Sequence, residues 1–258
     1  MPIHCTPLKT IAALTLAGSL ALLSAPAQAW DWTPGTRVTG AGQITKVQRQ
    51  VSGFKGIALE LPASVEVIQG ETEAVLIETD DNIAPLIETV VENDQLKIRM
   101  AQRFTSLKPK TLKLTINARQ IESLAVSGSG DIRAGKLKSA SLATRISGSG
   151  DIHITSLDVD SLSVSIAGNG DFFAGGRADS VRSSISGSGD IKTSTLAAKN
   201  VKLSIAGSGN AEVWASQALS VSIAGSGDVG YYGDASVSQS VAGSGRIKKL
   251  GNTPKIDG

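Results

Sequence analysis

The chain has 258 residues, 25 Lys and Arg against 23 Asp and Glu for a formal charge of +2, 41% hydrophobic residues and 3% aromatic ones, with one cysteine and two histidines. So even a balance excludes an electrostatic grip on nucleic acid or anionic lipid, and one cysteine excludes an internal disulfide and a Cys-based zinc cluster. With few aromatics, any core has to be aliphatic.

Residues 1–29 read as a signal peptide. Lys9 gives a positive start, Ile11 to Ala25 is an apolar stretch short for a membrane span, and Ala27-Gln28-Ala29 is a small-x-small cleavage pattern, so the mature chain is expected to begin at Trp30. Cys5 lies within the leader and away from any cleavage site, so no lipid anchor is expected. Cleavage removes Cys5, His4 and Lys9. It leaves His153 as the single histidine and 24 basic residues (25 minus Lys9) against 23 acidic ones. The mature chain contains no further transmembrane stretch, which predicts an exported protein of the periplasm or the cell surface.

Residues 30–45 form an extended leader or N-terminal cap, since Trp30 to Gln43 is rich in Gly, Pro and polar residues. From Val47 the chain alternates as strands do. Ile57, Leu59 and Leu61 share one face, Val65 and Val67 follow Pro62, and Val75 and Ile77 follow a turn at Gln69-Gly70. Ile83, Leu86, Ile87 and Val90 fall at i, i+3, i+4 and i+7, so the spacing predicts a helical interruption over 83–91. Asn93-Asp94 signals a turn before Leu96 and Ile98, and 102–110 reads as a polar, basic loop.

Seven copies of Gly-Ser-Gly or Gly-Asn-Gly then begin at Gly128, Gly148, Gly168, Gly187, Gly207, Gly225 and Gly243, a spacing of 18 to 20 residues. Between them run alternating segments such as Leu162, Val164 and Ile166 against Ser161, Ser163 and Ser165. A fixed period of this size marks a solenoid whose coils bury their apolar faces against one another. The fold class is therefore all-β: a parallel β-helix over 46–250, with two or three short strands per coil, and a polar tail at 251–258. An antiparallel sandwich would show more frequent and less regular turn signals. Trp30 to Gln43 and Lys248 to Gly258 are expected to cap the two ends. An end-to-end dimer is the alternative way to cover an exposed strand edge.

Phe54-Lys55-Gly56-Ile57, the run Pro62 to Gly70 (PASVEVIQG) and the Ser-Gly-Ser-Gly-Asp-Ile repeats resemble the bacterial auto-transporter adhesin head GIN domain family, over roughly residues 46 to 250. The resemblance implies a right-handed parallel β-helix and an adhesive role, and it brings no catalytic residues. A self-exporting auto-transporter would continue into a membrane barrel with aromatic girdles, and no such pattern is read before Gly258, so self-export is not expected.

The repeat supplies a turn column: Gly128, Gly130 and Asp131; Gly148, Gly150 and Asp151; Gly168, Gly170 and Asp171; Gly187, Gly189 and Asp190; Gly225, Gly227 and Asp228. Its glycines suit tight corners. Each aspartate is expected to accept hydrogen bonds from the amides of its own turn, with calcium between coils as the competing role. Asn210 and Arg246 occupy the same column, and the calcium-roll pattern G-G-x-G-x-D is not followed, so no metal or other cofactor is expected.

Trp214, Tyr231 and Tyr232 are candidate ligand-contact residues, because an aromatic ladder could hold a sugar ring or a partner protein; the bland role is to close the end of the core. Phe172 and Phe173 split, one inward and one outward, and His153 points outward. Serines interrupted by Arg145, Arg182 and Lys202 form an outward face. The mature chain has no cysteine nucleophile, and the Gly-Ser-Gly corners lack the Lys-Ser/Thr and helix of a phosphate loop. Asp158 and Asp160 are a small acidic pair of the kind a polysaccharide lyase or hydrolase would need. The expected function is a non-enzymatic binding or adhesion module whose partner is a glycan or an envelope protein. A polysaccharide-active enzyme and a structural envelope component are the alternatives.

Overall fold

A computed structural model describes residues 37–101 and 106–254. The expected leader and its cleavage site lie outside the described residues.

From Ser123 onward the chain winds as one β-solenoid. Strand β10 (Ser123–Gly128) is followed by five long strands, β11 (Asp131–Gly148), β12 (Ile152–Gly168), β13 (Phe172–Gly187), β14 (Ile191–Gly207) and β15 (Ala211–Gly225), and then by β16 (Val229–Tyr232), β17 (Ser236–Gly243) and β18 (Ile247–Gly251). The two or three short strands expected per coil are in fact one strand, bent around the coil. β11 pairs with β12 in parallel from Ile132↔Ile152 to Gly148↔Gly168, with only short gaps in the register.

Alternation sets the core. Ile146, Ile166, Ile185, Ile205 and Ile223 form one inward column, each at most 1% exposed, with each coil stacked on the next at about 4.8 Å. Burying each such side chain contributes about 1.5–3 kcal/mol. Phe172 is inward and buried while Phe173 is half-buried on the outward set, as alternation requires.

The corners are close-packed. Gly148 has φ 127°, a conformation open to glycine, and a Cβ there would strike the backbone of Gly128. A Cβ on Gly150 would strike the carbonyl oxygen of Gly130 in the preceding coil, so this second glycine is required by approach rather than by φ. The carbonyl of Gly128 accepts from the amides of both Ser149 (2.8 Å) and Gly150 (3.1 Å).

The N-terminal part is threaded out of sequence order. Strands β3 (Gly56–Leu59) and β4 (Ser64–Gln69) form a rung, and so do β7 (Gln95–Met100) and β9 (Leu112–Ala118). β3 lies between β7 and β10, and β4 lies between β9 and β11, so the earlier rung is enclosed by two later ones. This end is closed by antiparallel strands: β6 (Ile87–Glu92) on β7, and β5 (Ala74–Asp80) on β9, with β2 (Ile44–Arg49) beyond β5. β1 (Arg37–Thr39) pairs with β8 (Ser106–Lys108), so part of the expected 102–110 loop is a strand.

The helical interruption expected over 83–91 reduces to a single 3-10 turn, Ala84–Leu86. Thr89, Val90 and Val91 instead join β6, where β-branched side chains pack well. Around this end the carboxylate of Asp80, 0% exposed, accepts from the amides of Gly42 (2.7 Å) and Lys110 (2.8 Å) and ties the N-terminal segment to the sheet.

Candidate functional site

The aspartate column is a ladder between coils. Asp131 Oδ1 accepts from the amide of Asp151 (3.2 Å), Asp151 from Asp171 (2.8 Å), Asp171 from Asp190 (2.9 Å) and Asp190 from Asn210 (3.0 Å). This corrects the expectation that each carboxylate serves its own turn. Asn210 fits because its Oδ1 still accepts from Asp228 (3.1 Å), and Asp228 accepts from Arg246 (2.9 Å). Arg246 ends the ladder, where only a donor is needed, and its guanidinium holds the Asp228 carboxyl below the usual carboxylate range. Among the described residues no group of three or more His, Cys, Asp or Glu is placed to hold a metal ion.

Two positions beyond each aspartate, the outward side chains align in a strip across the coils. Thr115, Glu66, Arg133, His153, Phe173, Lys192 and Glu212 are successive register partners. The imidazole of His153 stacks on Phe173 (5.5 Å between centroids, 22° between planes), and the Lys192 ammonium lies 4.8 Å from the centre of the same ring. Lys192 also stands 3.7 Å from both Asp171 and Asp190. The stack was legible in principle: Arg133, His153, Phe173, Lys192 and Glu212 recur at the period of the repeat, so following that column along the sequence finds it.

At its N-terminal end the strip floors a groove of about 710 Å³. Five adjacent strands line it: β5 with Leu76 and Glu78, β9 with Lys113 and Thr115, β4 with Ser64 and Glu66, β11 with Arg133 and Gly135, and β12 with His153 and Thr155. Donors and acceptors are interleaved there with the exposed Leu76, and Gly135 leaves open space where a side chain would stand. Sequence reasoning missed this groove because β5 and β9 reach it only through the N-terminal threading.

Of the aromatic candidates, Trp214 and Tyr232 are register partners and half-buried, so they lie side by side on neighbouring strands. Tyr231 falls opposite Val213 and packs against the core. Asp158 is engaged by Arg177 through two hydrogen bonds (2.6 and 2.9 Å), which keep its carboxyl below the usual range, and Asp160 is exposed two residues further along β12. On the serine face, Arg182 and Lys202 are register partners flanked by Ser163 and Ser220. Among the described residues no helix is long and apolar enough to cross a membrane.

The family described as "Putative auto-transporter adhesin, head GIN domain" matches residues 53–235. The chain is similar to a crystal structure of a "putative adhesin" from Bacteroides fragilis (24% identity, TM-score 0.78) and to one of a "putative lipid binding protein" from Parabacteroides distasonis (27%, 0.71). A second "putative adhesin" from Parabacteroides distasonis is also similar (22%, 0.66); each comparison covers 83% of this chain and all of the other. No curated protein matches the chain.

Proposed function

Because this chain belongs to the auto-transporter adhesin head GIN domain family, we propose that it is a non-catalytic binding module, exported through the leader at 1–29, that holds a glycan of the cell envelope or of a surface beyond it. The observation that carries this reading is the groove over β5, β9, β4, β11 and β12. Glu66, Glu78, Lys113, Thr115, Arg133 and His153 offer both donors and acceptors there, on a sheet whose backbone is already ordered before a ligand arrives. A polyhydroxylated ligand matches such a mixed lining, whereas an acyl chain would need an apolar one. The acidic pair read from the sequence, Asp158 and Asp160, lies outside this groove, with Asp158 held by Arg177, and the aspartate column is engaged by backbone amides.

Glycan-array binding followed by calorimetry tests the proposal. Arg133→Ala with Glu66→Ala is expected to weaken binding at least tenfold, with dichroism unchanged. Turnover of a polysaccharide that is lost in Asp158→Ala with Asp160→Ala would overturn the non-catalytic reading. Binding to neutral lipid vesicles in preference to glycans would move the ligand class toward the description of the Parabacteroides relative. The Trp214–Tyr232 pair is a second contact surface, favoured by its side-by-side placement; Trp214→Ala with Tyr232→Ala then reduces avidity for long glycans more than affinity for short ones.

A further inference from the structure

Before each Gly-x-Gly corner the strands stack into a wall of their own, made of residues 141–148, 161–168, 180–187, 200–207, 218–225 and 236–243. The corner separates this wall from the groove described above. Its charged residues are Arg145, Arg182 and Lys202; it has no acid and no aromatic, and its other outward side chains are Ser, Ala and Asn200. Elsewhere on the coils cations are matched by acids: Arg177 by Asp158, Lys199 by Asp179, and Lys192 by Asp171 and Asp190. Here the opposite holds. Arg182 and Lys202 are register partners, so they leave the sheet side by side at about 4.8 Å, an arrangement of like charges that destabilises a sheet. Beside them Ala218 and Ser220 are short, which opens a groove of about 380 Å³ lined by Ser180, Arg182, Asn200, Lys202, Ala218 and Ser220.

We propose that this wall binds an acidic polysaccharide carrying one carboxylate per sugar. Arg182 and Lys202 grip a carboxylate between them through charge-assisted hydrogen bonds, and the ligand's charge relieves the repulsion between the two cations. Ser180, Asn200 and Ser220 offer donors and acceptors to the hydroxyls of the flanking sugars. Arg145 stands two strands and two residues from Arg182, roughly 12 Å from the strand spacing and rise, so a chain with repeated carboxylates reaches a second cation where a single small anion would not. Three cations over six strands match a sparsely charged, hydroxyl-rich chain. A nucleic acid would need a denser field of cations or aromatic side chains to stack on, and a membrane would need exposed apolar ones; the wall supplies neither. The inference shares a ligand class with the proposed function but uses a different wall and different residues.

Affinity electrophoresis and calorimetry of the full mature chain test it, with polygalacturonate, dextran sulfate and neutral dextran as probes. Polygalacturonate is expected to retard the chain, dextran sulfate to do so less and neutral dextran not at all, with retardation fading as salt shortens the Debye length. Arg182→Ala with Lys202→Ala is expected to weaken polygalacturonate binding by about tenfold or more with dichroism unchanged, since both side chains are exposed. Ser220→Asp keeps both cations but gives Lys202 a carboxylate on the next strand, and is expected to weaken binding too. Lys136→Ala with Lys248→Ala removes as much charge from exposed positions elsewhere and is expected to leave binding unchanged. Neutral-glycan binding is read separately through the Arg133 and Glu66 variants, so either site can fail alone. No retardation by polygalacturonate, binding indifferent to the Arg182, Lys202 and Ser220 variants, an equal loss in the Lys136 and Lys248 control, or stronger retardation by either dextran would each overturn the proposal.

Discussion

Among single residues, Ser183 stands out. It occupies the inward column between Val164 and Leu203, is 2% exposed, and its hydroxyl has no hydrogen-bond partner. Burying an unpaired hydroxyl costs about 1–3 kcal/mol, so Ser183→Ala is expected to raise stability by about 1 kcal/mol in denaturant unfolding. The aspartate ladder makes the complementary prediction. Asp171→Asn keeps the acceptor for the Asp190 amide and is expected to be nearly silent, as Asn210 already is at its own rung, whereas Asp171→Ala costs about 1 kcal/mol. The glycines divide in the same way: Gly150→Ala drives a methyl into the backbone of the coil below and prevents native packing, while Gly135→Ala meets open space and leaves the melting temperature within a degree or two. The sequence showed which positions repeat. It did not show whether a repeated aspartate bonds within its turn or across coils, because both arrangements demand the same residue at the same period.

For the elements, alternation and period made β10 to β18 legible, including the split of Phe172 and Phe173 between the two faces. They could not reveal β2, β5 and β6 as antiparallel strands, since alternation reports a strand's faces and says nothing of its partner or direction. The 83–91 segment shows the competition directly: Ile83, Leu86, Ile87 and Val90 have helical spacing, yet only Ile83 and Ile87 are fully buried, and the β-branched run follows the sheet. Asp80, at the end of β5, yields a pH prediction. Burial pulls its carboxyl upward, but the Lys110 and Gly42 amides outweigh that, so its folded-state pKa is below the unfolded one. The stability it contributes is therefore fully present above the unfolded value of about 4 and is lost as pH falls through the lower folded value. Hydrogen exchange at Gly42 and Lys110 should accelerate in that window, and Asp80→Asn, with one acceptor for two amides, should lower the melting temperature at neutral pH and flatten the acid response.

For the molecule, a stack in which each coil touches only its neighbours predicts graded protection. Amides of β12 to β14 should exchange most slowly and those of β17 and β18 fastest. The groove was the least legible part of all, because five strands build it from three separate stretches of chain. The enclosure of β3 and β4 between β7–β9 and β10–β11 also bears on biogenesis. A solenoid threaded in order can be laid down coil upon coil as it leaves the ribosome, each finished turn serving as a template for the next. Here the rung that is synthesised early gains one flanking template only when residues 95–118 have followed it and the other only with residues 123–134, so the nascent chain must be kept from premature pairing over that interval, and translation products arrested before Asp131 should remain protease-sensitive while those extending past Gly148 acquire resistance.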